Sequence, residues 1–323
     1  RRDPPPDART GACGPEETGR APGSSPERAG LLPSASMSSR PTASKRPSIV
    51  PRPLRLALSG TTPRYWLDGD AVSTQLFNAL SIVFPRGERM FVEAVRLHKD
   101  AVTESELRQA VRDFIGQEVN HSRAHVEFNA WLASLGLPIS ELEREIEERM
   151  KATEALSPEK RLAATCALEH FTAILAAALL GQPGLLESMH PDVRPLWLWH
   201  AIEELEHKSV AYDVYQASGG TYRTRVTMMA LVTVTFLTRV ARRHRRLLRE
   251  EGVFDDRAAR RRSAWKFFGP GGYLAGVVPH YLAYYRPGFH PANVDDGALL
   301  AAGRAALDAM LAASEASTLR RAS

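Results

Sequence analysis

The stretch "EKRLAATCALEHFTAILAAALLG" limits what this chain can become more than any other. From Leu162 to Leu180 it is apolar at almost every position, with Glu169 and His170 in the middle. A helix that is apolar all round has to be enclosed by other protein. A carboxylate inside such a helix is costly unless something pairs with it. No basic residue lies close to Glu169 in sequence to do so. The chain must therefore wrap this helix in others and bring a partner to Glu169 from a distance.

The surrounding sequence supplies the wrapping helices. Strand signals are scarce from Ala71 onward, and helical periodicity dominates, so the expected class is all-α. One helical region covers Ser73 to His98 and is interrupted at Pro85 in "SIVFPRGERMFVEAVR". A second runs from Thr103 to Leu135, with Thr103 and Glu106 spaced as a capping box and Gly136 and Pro138 ending it. "SELEREIEERMKATEAL" reads as an acidic surface helix, and Pro191 to Gln216 as one continuous helix closed by Gly219-Gly220. Val226 to Leu237 is apolar, but only 13 residues separate Arg225 from Arg239, fewer than the ~20 a bilayer span needs. Ala298 to Arg321 is an Ala-rich peripheral helix or tail.

Two of these helices carry Glu-x-x-His. In "FIGQEVNHSRAHVEFN", Glu118, His121 and His125 are three and seven residues apart and share one face. In "WHAIEELEHKSVAYDVY", His200, Glu204 and His207 do the same. Adding Glu88, just after Pro85, gives the order Glu88, Glu118-x-x-His121, Glu169, Glu204-x-x-His207. That is the ligand order of a ferritin-like di-iron carboxylate four-helix bundle. Carboxylates can bridge two divalent ions and neutralise their charge, and imidazole adds nitrogen ligands suited to iron. The expected cofactor is two divalent metal ions, iron first, with manganese or zinc as alternatives. The competing reading is a metal-free network of buried His, Glu and Arg.

The remaining polar residues near this set need roles. Glu88 is preferred to Glu93 because the Pro85 break re-aims its helix. One of His125 and His200 is expected to ligate directly and the other to orient a ligand. Glu203 is expected to hold a ligand or an interface, Glu206 to face solvent, and Asp213 to hold a histidine N–H. His170, about 100° round the helix from Glu169, is expected to be a structural hydrogen bonder.

"FPRGERMF", "FIGQEVNHSRAHVEFN", "EHFTAILA", "WLWHAIEELEHKSVAYDVY" and "YYRPGFHP" together resemble a bacterial family labelled predicted metal-dependent hydrolases, over roughly residues 52–291. After "FHP" this chain reads "ANVDD", where the resemblance leads one to expect a Trp-Asp pair. The resemblance implies a ferritin-like fold with metal positions at Glu88, Glu118, His121, Glu169, Glu204 and His207, and with His125 and His200 as further candidates. The ligand set is more like that of non-haem di-iron oxygenases, which points to O2-dependent oxidation of a small or lipid-like molecule. A hydrolase using a metal-activated water keeps the same residues. A non-catalytic metal-binding or interaction bundle is the third reading.

Residues 1–50, rich in Pro, Arg, Ser and Gly, are expected to be a disordered tail, with Met37 as the natural start. Residues 51–291 form the helical domain and 292–323 the C-terminal helix or tail. Cys13 and Cys166 are far apart and suggest no disulfide framework, and no secretory signal is evident, so a cytoplasmic setting is expected. The net charge of +5 gathers at the N-terminal tail and at Arg239 to Arg262. No nucleic-acid motif accompanies the Arg run. The apolar helix with its basic end could touch a membrane surface, though a fifth core helix is preferred. An electron-transfer partner follows from the oxidative reading. Phe77, Phe84, Phe91, Phe114, Phe128, Trp131, Phe171, Trp197 and Trp199 are candidates for core or for an apolar channel.

Overall fold

A computed structural model describes residues 47–322, with side chains as far as residue 313. The protein is all-α. In chain order the helices are α1 (Ala71–Ser81), α2 (Phe84–Arg96), α3 (Ser105–Ser134), α4 (Ile139–Glu154), α5 (Pro158–Leu180) and α6 (Pro183–Glu187). They continue with α7 (Arg194–His207), α8 (Val210–Ala217), α9 (Tyr222–Glu250), α10 (Arg257–Phe268), α11 (Val277–Ala283) and α12 (Gly297–Ala322).

Helix α5 is the enclosed helix its composition demands. Ser157 caps its first turn and Pro158 opens it, and both features suit a helix N-terminus. It packs against α2, α7, α8, α9 and α11, and buries Leu162, Ala167, Phe171 and Ile174. Helix α2 lies along α3, α1 packs against α9, and α12 lies on α7. Gly303 of α12 permits this last contact, since a Cβ there would sit 3.1 Å from Ile202 Cγ1.

Helices α5 and α9 are both long and apolar enough to cross a membrane by length and composition. The apolar window of α5 is mostly buried within the protein. That of α9 is mostly not: Met228, Met229 and Val232 face inward, while Leu231, Val234 and Leu237 are exposed. The helix runs on from the apolar stretch Val226–Leu237 through the basic segment to Glu250, the apolar helix with a basic end expected from sequence.

The structure corrects several local expectations. The expected Thr103 capping box does not form. The helix starts at Ser105, Glu104 occupies the cap position without a side-chain capping hydrogen bond to the helix, and Glu106 instead stands in the first turn, where the helix dipole favours an acid. The helix expected from Pro191 to Gln216 is two, α7 and α8, divided at Lys208-Ser209. Lys208 is drawn away to Asp296 and to the Val294 carbonyl (2.7 Å), and Ser209 Oγ donates to Asp213 (3.1 Å). The Lys208 bonds reach chain distant in sequence, and "HKSVAY" holds no Pro or Gly that would mark the break.

Residues 47–50, expected to belong to the tail, instead lie against the bundle. Residues 1–46 and Met37 lie outside the described residues, but 47–58 form an extended strap across the bundle. Gln117 donates to the Val50 carbonyl and Arg304 to that of Ser48. Pro51 lies so close to Gly116 of α3 that a Cβ there would meet it at 2.8 Å.

The "YYRPGFHP" segment clasps α8 and α9. Tyr212 donates to the Phe289 carbonyl, His290 and Asp213 lie 2.8 Å apart, and Arg225 donates to the carbonyls of Tyr284 and Arg286. His170 bonds the His280 carbonyl (3.1 Å), the structural use expected of it.

Candidate metal centre

Four helices aim carboxylates and imidazoles at one point in the interior. Helix α2 brings Glu88, α3 brings Glu118, His121 and His125, α5 brings Glu169, and α7 brings His200, Glu203, Glu204 and His207; all nine are buried. Two groups stand out. Ligand atoms of Glu118, His121, Glu204 and His207 all lie within 4.8 Å of one another, and so do those of Glu88, His125 and His200. The groups adjoin, because His200 Nε2 lies 2.9 Å from Glu204 Oε1 and the His121 and His200 rings stack at 4.3 Å. Glu169 joins through His207, whose Nδ1 lies 3.1 Å from its Oε2. Glu93 faces outward and pairs with Arg161.

Charge is poorly compensated here. Burial raises the Glu88 and Glu118 carboxyls well above their ordinary range, and neighbouring glutamates push them further. Burial carries Glu169 up to about 7 although His207 opposes it. Burial opposes a proton on His207, but Glu169 and Glu204 outweigh it and hold that imidazole up to about 9. Burial and the neighbouring imidazoles push His121 well below its usual range. Many polar atoms in this enclosed interior also lack a hydrogen-bond partner: Glu88 Oε1, both Glu118 oxygens, both His121 nitrogens, Glu169 Oε1, Glu204 Oε2 and His207 Nε2. Native interiors rarely leave such atoms unpartnered. His207 Nε2 comes within 3.1 Å of Glu118 Oε1 without hydrogen-bond alignment. Cations among these groups would take up the unpartnered carboxylate oxygens and one nitrogen of each imidazole, so the residues present fit metal ions.

A family model described as "Predicted metal-dependent hydrolase" matches residues 50–295. The chain belongs to that family. No curated protein and no solved structure matches it. Two buried Glu/His groups able to hold a pair of metal ions are consistent with a metal-dependent hydrolase family.

Around the centre lie residues that sequence reading passed over. Ser122 donates to Glu88 Oε2 (2.9 Å), and Ser81 joins His125 to Asn129. Glu203 accepts from Trp199 Nε1 (3.0 Å) and Arg52, and its other oxygen lies 3.2 Å from His121 Nε2. Glu206, expected in solvent, is buried instead. It accepts from Arg52 of the strap, Gln117 of α3 and Arg304 of α12, and so ties three elements to α7.

An apolar cavity of about 780 Å³, counting its open mouth, reaches the centre at His200 and Glu204. Phe77, Phe84 and Trp197 line it, as the channel reading allowed, but so do Phe236, Phe267 and Tyr273, which that reading missed. Phe128 and Trp199 are fully buried core.

Proposed function

We propose that the Glu/His cluster holds two divalent metal ions, iron by preference, and that the protein uses O2 to oxidise a small apolar or lipid-like molecule. The observation that carries this reading is the cavity: its lining is almost wholly hydrocarbon, and it ends at His200 and Glu204. Such a channel admits an apolar chain and disfavours bulk water. Glu88, Glu118, Glu169, Glu204, His121, His207 and His200 would hold the ions, which when bound supply the redox chemistry. An electron-transfer partner would provide the reducing equivalents.

Hydrogen bonding supports a division of labour between the two extra histidines. Asn129 Nδ2 donates to the Ser81 carbonyl and to Glu143, which turns its Oδ1 toward the Ser81 hydroxyl. The Ser81 proton is thereby used, so its oxygen accepts from His125 Nδ1 (2.9 Å). That leaves His125 Nε2 bare, to accept from His200 Nδ1 (2.8 Å). His200 then presents a bare Nε2 beside Glu204. On this count His200 is the ligand, and His125 fixes its tautomer and tilt. Glu203 lies beside His121, with Oε2 3.2 Å from its Nε2 but without a hydrogen bond between them.

Hydrolysis is the second reading, favoured by the family's description, and it uses the same residues. Reconstitution with Fe(II) separates the two. Substrate-dependent O2 uptake with medium-chain alcohols or aldehydes supports oxidation. Cleavage of medium-chain esters without O2 uptake, also sustained by Zn(II), would replace it with hydrolysis.

A further inference from the structure

A second cavity, of about 640 Å³ counting its open mouth, lies where α2, α4, α5 and α9 meet. Its inner wall is apolar and includes Met90, Ile146, Met150 and Leu168. Arg149 of α4 and Arg239 and Arg243 of α9 also line it. Arg239 and Arg243 are one turn apart on one helix face, a spacing at which like charges repel.

These arginines differ from others nearby. Arg246 pairs with Glu141 and Glu250, and Arg249 stacks on Phe254. Among the described residues, the side chains of Arg149, Arg239 and Arg243 make no hydrogen bond or ion pair, although Arg243 is only 7% exposed. Glu145 acts on Arg243 only from beyond ion-pair distance. Burial first, and then Arg239 and Arg149, hold the Arg243 guanidinium down to about 10. A buried guanidinium facing two like charges calls for an anion, and carboxylate or phosphate oxygens match its fork. The apolar wall beside it calls for hydrocarbon.

We propose that this cavity binds an amphiphilic anion, a carboxylate or phosphate head on an apolar tail, with the head held by Arg149, Arg239 and Arg243. The tail lies along Met90, Met150 and Leu168. Gly87 and Leu168, both in this lining, precede Glu88 and Glu169 in sequence, so the occupant packs against two helices of the metal centre. The site is separate from the hydrocarbon channel, which shares only Phe236 with it and contains no arginine. The inference does not depend on which reaction the metal centre performs.

Calorimetric titration of the metal-loaded full chain with octanoate, octyl phosphate, octanol and inorganic phosphate tests it. Octanoate and octyl phosphate are expected to bind about tenfold or more tightly than octanol. Inorganic phosphate, lacking the tail, is expected to bind more weakly than octyl phosphate, and the tighter of the two amphiphiles identifies the head group. An Arg239→Gln/Arg243→Gln double variant should bring both anions down to the level of octanol and leave octanol unchanged. Arg149→Gln, an exposed change that spares the packing, should weaken the anions alone. Octanol binding as tightly as octanoate, or anion binding untouched in Arg149→Gln, would overturn the proposal. Anions held only by the metal ions or by the hydrocarbon channel would give that second result.

Discussion

Glu169, His207 and Glu206 are all buried and all belong to polar networks, yet replacing them should have different consequences. Glu169→Ala or His207→Ala removes a proposed ligand, and metal content measured after purification should fall by one or both ions. Glu206→Ala leaves the proposed ligands in place but strips Arg52, Gln117 and Arg304 of their shared acceptor. It should cost about 1–3 kcal/mol in denaturant unfolding with metal content kept. Equal metal loss in all three variants would show that the assigned ligands are wrong. The titration of the cluster gives a second residue-scale test. Glu169 keeps its proton up to about 7 and Glu203 up to about 8, where an unfolded glutamate has lost it, and His207 keeps its own up to about 9. Between pH 7 and 9 the folded, metal-free protein thus binds more protons than the unfolded chain, and its stability falls as pH rises. Metal ions displace those protons. The gain in Tm on adding Mn(II) or Zn(II) should therefore grow across the same window, and a gain independent of pH would argue that these groups lie outside the metal site.

At the scale of elements, what could be read in the sequence tracks how local the cause is. The Glu-x-x-His pairs were legible because three residues of helix bring both side chains to one face, whatever the rest of the fold does. Enclosure of α5 was legible because its own composition demands it. The place of Glu206 was not, because its partners stand 154, 98 and 89 residues away. The break after His207 was hidden for the same reason: Lys208 leaves its helix for Asp296, 88 residues on. Phe236 and Phe267 became channel walls only when α9 and α10 closed over α1 and α5. Two element-scale predictions follow from these contacts. Ala176→Phe, within the channel, should leave metal content unchanged and lower turnover of apolar substrates about tenfold or more. Gly116→Val should push Pro51 off α3, and hydrogen exchange should show residues 47–58 losing protection while α3 keeps its own.

Over the whole molecule, the helices from α1 to α12 and the strap at 47–58 form an insulated frame around one polar point. Insulation of this kind makes unpaired carboxylates expensive, and it ties the fold to whatever cation satisfies them. Ions that bind only the folded state stabilise it by mass action, by about 2.7 kcal/mol at a hundredfold excess over Kd. The same frame leaves a hydrocarbon opening toward His200 and Glu204, the observation that supports the proposed apolar substrate. All of this rests on the cluster being a two-metal centre. Anaerobic titration of chelator-treated protein with Fe(II), followed by elemental analysis after desalting and by the shift in Tm, tests that claim most directly. The account predicts about two ions retained per chain, with a rise in Tm that Glu118→Ala abolishes. Protein that retains no iron, manganese or zinc and melts at the same temperature with and without them would contradict it.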